Sequence, residues 1–237
     1  MFQQPAGQHP AHSMFAPPPQ TQRKKNLDRF FQLHIPCTGG TSLFYGLSKS
    51  HQMERSGWYL THSPWELIPN GRRVITTLRD PVDRCVSFWN LLYNSKAFSS
   101  PEKLQEFGIV NTFERFVTPE TWEMKAKPWL TPDPNLQTRM LAGFKGEPAQ
   151  MLEAAKQHIN ECAWVGFCGP DFGEYLPALS DLVGYDVPMR WDRSFSDRPR
   201  FQADNDEKAK LEELCSLDRQ LYDYARAKHA VPELITS

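Results

Sequence analysis

The stretch FFQLHIPCTGGTSL, residues 30–43, decides how the rest of the chain is read. Phe30 to Ile35 form a short, mostly apolar run of the kind that makes a buried strand. Pro36 ends the run and Gly39-Gly40 follow. Thr41 or Ser42 then stands where a helix cap is needed, ahead of Leu43, Phe44 and Leu47 at helical spacing. The pattern is strand, glycine turn, helix N-terminus. Glycines let backbone N–H groups converge on an anion, and the positive end of the helix dipole favours negative charge there. Thr38, Thr41 and Ser42 add hydroxyl donors. The stretch therefore predicts a phosphate cradle. It is not a Walker A loop, because GxxxxGK[ST] occurs nowhere in the chain.

A second unit of the same kind follows about 40 residues later. Arg73 to Leu78 is a β-branched run that reads as a strand. Asp80-Pro81 breaks it, with the proline suited to a first helical turn, and Val82, Cys85, Val86, Trp89 and Leu92 recur at helical spacing. Two such units in succession imply parallel strands in an α/β sheet flanked by helices. Gly57 to His62 reads as a further short strand. Downstream, helices are expected over Asn135–Gly143, Pro148–Glu161, Phe172–Val183 and, as one long amphipathic element, Asp204–His229, with a short strand at Ala163–Phe167. Residues 96–134 interleave aromatics with prolines and suit an acceptor-side wall or an irregular packing segment.

Composition sets the outer limits. A chain of 237 residues buries one sizeable core, and its 40% apolar and 23% charged residues fit a globular domain. Residues 1–26, rich in Gln, Pro and His, hold too little apolar surface to offset the entropy of ordering and read as a disordered tail. The domain is then 27–237. No run of 18 apolar residues exists, so no membrane span is expected. The formal charge of −1 gives no general basic excess, which argues against nucleic acid as the partner. Five cysteines without a CxxC pair favour reduced thiols in a cytosolic setting. His158, Cys162 and Cys168 lie near one another in sequence, but their spacing fits no standard zinc site, so no metal is expected.

On these residues the chain resembles the sulfotransferases that use 3′-phosphoadenosine 5′-phosphosulfate (PAPS), in the branch of Golgi carbohydrate enzymes and their bacterial relatives. HIPCTGGTSL is similar to that family's 5′-phosphosulfate loop, and Leu78 to Trp89 (LRDPVDRCVSFW) to its 3′-phosphate motif. Asn135 to Leu141 and Leu211 to Ala225 resemble, less specifically, a downstream N-x-x-T-R-x-L segment and the closing helix. The resemblance spans roughly residues 29–229. It implies a P-loop sulfotransferase-like domain. Cys37, Thr38, Gly39, Gly40, Thr41 and Ser42 would face the 5′-phosphosulfate, and Arg79 and Ser87 the 3′-phosphate. Spacing agrees with the latter pair. An arginine at a strand's carboxyl end offers a forked donor, and a serine two helical turns further on turns its hydroxyl to the same side. His62 stands where the family carries a Gly-His or similar pair, and a neutral imidazole can take the proton of an attacking hydroxyl. Glu66, His51 and His34 are the alternative bases, His34 more as a positioning residue. Arg139 approaches the nucleotide or acceptor, or serves as an ion-pair residue on its helix flank.

The implied reaction is sulfuryl transfer from PAPS to a hydroxyl, less readily an amine, of a small-molecule or carbohydrate acceptor. The product nucleotide is 3′-phosphoadenosine 5′-phosphate (PAP). The implied location is cytoplasmic, as in soluble bacterial forms, or else the lumen if the chain is the catalytic part of a Golgi enzyme. One departure stands out. The family has lysine in the cradle where this chain has Cys37. Three readings follow from it. Lys24, Lys25 or Lys49 supplies the missing charge, the protein binds PAP or PAPS without turnover, or the cysteine is an introduced substitution. A P-loop kinase is the remaining alternative, and it lacks the Walker lysine.

Overall fold

The computed structural model describes residues 30–49, 64–94, 133–188 and 201–229. Three parallel strands form its sheet: β1 (Phe30–Leu33), β2 (Arg73–Arg79) and β3 (Trp164–Cys168), in the order β1-β2-β3. Seven α-helices accompany them among these residues: α1 (Gly40–Lys49), α2 (Pro81–Asn94), α3 (Leu136–Ala142), α4 (Pro148–Glu161), α5 (Leu176–Val183), α6 (Asn205–Leu214) and α7 (Ser216–His229). The expected α/β architecture with a parallel sheet and flanking helices is what the chain adopts.

β2 is the central strand, and Val74 to Leu78 are buried without a break, as a parallel strand covered on both faces requires. Its two threonines are fully buried yet satisfied: Thr76 donates to the Leu33 carbonyl at 2.9 Å, and Thr77 shares a hydrogen bond with Thr38 at 3.1 Å. β1 stops opposite Thr76, whereas β2 and β3 run on together to the Arg79–Cys168 pair. The carboxyl ends of the three strands therefore share one edge, where ligands bind in open α/β sheets. The main core joins the sheet to α1, α3, α4, α5 and α7, with Leu33, Ile75, Leu141, Ile159 and Leu221 at its centre. A second, smaller cluster lies between α2 and α6.

β1 ends at Leu33 rather than Ile35, β3 is shifted by one residue, and three helix boundaries also differ from expectation. α1 starts at Gly40 rather than after a Thr41 or Ser42 cap, because the carbonyl of Gly39, at φ +83°, accepts the first ladder bond from Leu43 at 3.1 Å. The segment 172–183 opens as a 3₁₀ turn, Phe172–Tyr175, and becomes α-helical only at Leu176. The long C-terminal helix is two helices, broken at Cys215. The cause is a side chain. Asn135 donates to the Leu214 carbonyl at 2.8 Å and accepts the N–H groups of Leu217 and Asp218 at 3.0 and 3.1 Å. An amide inserted in this way interrupts the helix ladder. The expected strand at residues 57–62, the tail 1–26 and most of the segment 96–134 lie outside the described residues.

Candidate active site

The cradle forms at the carboxyl edge. Cys37 has φ +65°, a conformation in which an L side chain is strained, and Gly39 has φ +83°. Together they fold the chain back so that α1 begins directly behind β1. By helix geometry the N–H groups of Gly40, Thr41 and Ser42 precede the first ladder bond, and so point toward whatever sits in the turn. Gly40 leaves no room for a side chain. A Cβ there would overlap the His34 imidazole Cδ2 and lie 2.7 Å from its Nε2. His34 is thus packed beneath the cradle, which fits a positioning role. The Gly40 carbonyl is held from below by Gln32 Nε2 at 2.8 Å.

Thr38 departs from the simple expectation of a hydroxyl donor. It is fully buried, and its hydroxyl donates to the Ile35 carbonyl at 2.8 Å while meeting Thr77. Its side chain fastens the turn to β2. Thr41 and Ser42, by contrast, are half-buried at the start of α1.

Arg79 ends β2, and its Nη1 reaches the Cys37 carbonyl at 3.4 Å. Asp80 next to it turns elsewhere. One carboxylate oxygen caps α2 through the N–H groups of Val82 and Asp83 at 3.0 and 3.1 Å, and the other meets Arg219 at 2.8 Å. Burial pushes the Cys37 thiol up to about 11, against the pull of Arg84, Arg79 and a hydrogen bond with the Ser87 side chain. Two consequences follow. Cys37 and Arg79, from two motifs far apart in sequence, stand together, and Cys37 packs against the helix that carries Ser87. At neutral pH the thiol is uncharged and so does not repel an anion, while positive charge comes from Arg79 beside the turn rather than from a residue within it.

Arg84 was not singled out in the sequence. It is buried in the first turns of α2, donates to the Asp133 and Pro134 carbonyls and to Cys85 Sγ, and lies 3.8 Å from the Asp218 carboxylate. Asp218, fully buried at the start of α7, accepts the N–H groups of Gln137 and Thr138 at 3.1 and 2.7 Å and so caps α3. Gln137, also fully buried, binds the Arg79 backbone on both sides of its Cα. Its Oε1 accepts the Arg79 N–H at 2.9 Å and its Nε2 donates to the Arg79 carbonyl at 3.0 Å. The downstream N-x-x-T-R segment thus meets the end of β2 through its buried glutamine. Arg139 instead pairs with Asp133 at 3.0 Å.

Burial raises the Asp218 carboxyl to about 6, against the pull of Arg84 and the Thr138 hydrogen bonds. A carboxyl raised above its unfolded value stabilises the fold fully below the unfolded pKa, and that stability is lost as pH rises through the folded pKa. The window here is pH 4 to 6. Unfolding free energies of the parent and Asp218→Asn chains, measured across that window, are expected to differ in slope. The parent should lose stability relative to the variant as pH rises.

Other candidates settle into structural places or lie beyond view. His158 hydrogen-bonds the Leu141 carbonyl through Nδ1 at 2.6 Å and stacks on Trp65 at 4.1 Å, while Cys162 packs in the main core. Cys168 ends β3 against Gly39, with its Sγ 3.0 Å from where a Cβ would stand. Among the described residues no group of three His, Cys, Asp or Glu side chains is arranged to hold a metal ion, and no helix is long and apolar enough to cross a membrane. Glu66 lies exposed on a 3₁₀ turn, Trp65–Leu67. His62, His51, Lys24 and Lys25 lie outside the described residues, as does the side chain of Lys49.

A family model described as the sulfotransferase domain matches residues 19–159, from ahead of β1 to near the end of α4. No curated protein matches the chain. The matched stretch is more than half of the 237 residues and contains the cradle, Arg79, Ser87 and Gln137. The chain belongs to the sulfotransferase domain family.

Proposed function

We propose that the protein transfers a sulfuryl group from PAPS to a hydroxyl of a small-molecule or carbohydrate acceptor. The observation that carries this reading is the meeting of three groups at one sheet edge. They are the N-terminus of α1 behind a left-handed turn, the Arg79 guanidinium on the Cys37 carbonyl, and the α2 helix that carries Ser87, against whose apolar cluster Cys37 packs. The first suits a 5′-phosphosulfate, held by backbone N–H groups and the helix dipole. The second and third suit a 3′-phosphate, to which arginine offers a forked, charge-assisted pair of donors.

In the proposed step an acceptor oxygen attacks sulfur in line, and the S–O bond to the 5′-phosphate breaks. The electron pair leaves with PAP, and the acceptor proton passes to His62. Charge grows on the leaving phosphate, so fixed donors aimed at it lower the barrier. Here those donors are the N–H groups at the start of α1, assisted by the field of Arg79. The five cysteines are all free thiols, which fits a reducing, cytoplasmic setting.

A second reading, nucleotide binding without turnover, is favoured by one observation: Cys37 in the turn is a neutral thiol, where the resemblance implies a cation. Transfer of labelled sulfuryl from PAPS to a panel of sugar and phenol acceptors separates the two. The parent chain is expected to turn over, Cys37→Lys to raise the rate at least about tenfold through a direct charge on the leaving group, and His62→Ala to abolish it. Turnover by Cys37→Lys alone would establish the binding-only reading. Turnover by neither chain would contradict both the donor and the roles assigned here.

A further inference from the structure

We propose that Gln137 is a positioning residue for recognition of the nucleotide 3′-phosphate, acting through the peptide of Arg79. The inference rests on the reading of Arg79 as the 3′-phosphate ligand, and adds to it the group that aims that ligand.

A buried glutamine at the first turn of a helix is costly unless its amide is fully used. Gln137 is fully buried, and both ends of its amide go to one residue, at 2.9 Å to the Arg79 N–H and 3.0 Å from the Arg79 carbonyl. Donor and acceptor leave only one orientation of the amide. It does for Arg79 what a neighbouring strand does for a residue inside a sheet, at a point where β1 has already stopped opposite Thr76. The two peptide groups that flank the Arg79 Cα are thereby held beyond the β1 ladder.

The clamp is itself clamped. The Gln137 N–H is held by the Asp218 carboxylate, whose other oxygen takes the Thr138 N–H, and Asn135 returns the favour to the N-terminus of α7. Two helices more than 70 residues apart in sequence therefore cap each other, and the side chain standing between them and the sheet is Gln137. What it holds is the residue whose guanidinium reaches the Cys37 carbonyl in the cradle. A rotation of the Arg79 peptide moves its guanidinium by a lever of several bonds, and a misplacement of about 1 Å at a binding group costs up to about 10²-fold.

The test is a double-mutant cycle on the full chain, read by calorimetric titration with PAP and with adenosine 5′-phosphosulfate, which lacks the 3′-phosphate. Gln137→Leu is expected to weaken PAP at least tenfold, to leave adenosine 5′-phosphosulfate within about twofold, and to add nothing once Arg79 is alanine. Equal weakening of both ligands, or a loss that adds fully to that of Arg79→Ala, would overturn the inference and make Gln137 a support of the fold alone. Should Gln137→Leu fail to fold, Gln137→Asn draws the amide back by one methylene and must show the same selective loss. PAP binding that is lost in Arg79→Ala but unchanged in the Gln137 variant overturns this inference and spares the reading of the site. A parent chain that does not bind PAP overturns both.

Discussion

Replacing Asp218 by alanine is expected to lower the unfolding free energy by about 3–5 kcal/mol, because it leaves a buried guanidinium uncompensated. Arg84 and Asp218 are 1% and 0% exposed, so water cannot take the place of the lost partner. The same change removes the acceptor for two N–H groups at the start of α3. Chemical denaturation measures it. Asp223→Ala on the same helix, where the carboxylate is 65% exposed, should shift stability by no more than about 0.5 kcal/mol. Removing both partners, as in Arg84→Met with Asp218→Leu, should cost less than the two single changes added together, since a buried pair replaced by apolar groups is often neutral. A loss below about 1 kcal/mol for Asp218→Ala would mean that the pair is not the keystone between α2, α3 and α7 that its contacts indicate.

Arg79→Ala carries the largest expected effect on ligand binding, a loss of about 10²-fold or more in affinity for PAP. Charge-assisted hydrogen bonds are worth about 1.5–3 kcal/mol each, and a guanidinium offers two to a phosphate. Each 1.4 kcal/mol is about tenfold in affinity. The fold should tolerate the change, because the two Gln137 bonds go to the Arg79 backbone and survive truncation of the side chain. Arg139→Ala is the control. That guanidinium is paired with Asp133 on the helix flank, and its removal is expected to change PAP affinity less than about threefold. Arg79→Lys should recover only part of the loss, since an ammonium cannot supply a planar fork.

Much of this arrangement is legible in the chain before folding, and the reason is local. The β1–turn–α1 and β2–α2 units announce themselves because strand, breaker and helix signals fall within 15 residues or so of one another, where periodicity and turn chemistry act directly. Helix α4, Pro148–Glu161, has the bounds its sequence suggests for the same reason. What the sequence hides is long-range. Leu211, Leu214, Leu217 and Leu221 keep helical spacing straight through the break at Cys215, and nothing near them marks it. The interruption comes from Asn135, about 80 residues away. Gln137 likewise reads as an ordinary helix residue, and only its burial and its two bonds to Arg79 show what it does. Thr38 illustrates the opposite error. A hydroxyl in a phosphate-binding pattern looks like a ligand, yet here it ties the turn to β2. Cys37 looks like a gap in the charge of the turn, and the fold brings the Arg79 guanidinium to its carbonyl.

A carboxyl edge that reads an adenine nucleotide by its 3′-phosphate, as proposed, must tell PAP from its dephospho form. Calorimetric titration of the parent chain with PAP and, in parallel, with adenosine 5′-phosphate tests it most directly. Micromolar binding of PAP is expected, on the order of −8 kcal/mol, with the 3′-dephospho nucleotide bound about 10²-fold more weakly. Equal affinity for the two nucleotides, or no binding of PAP, would contradict it.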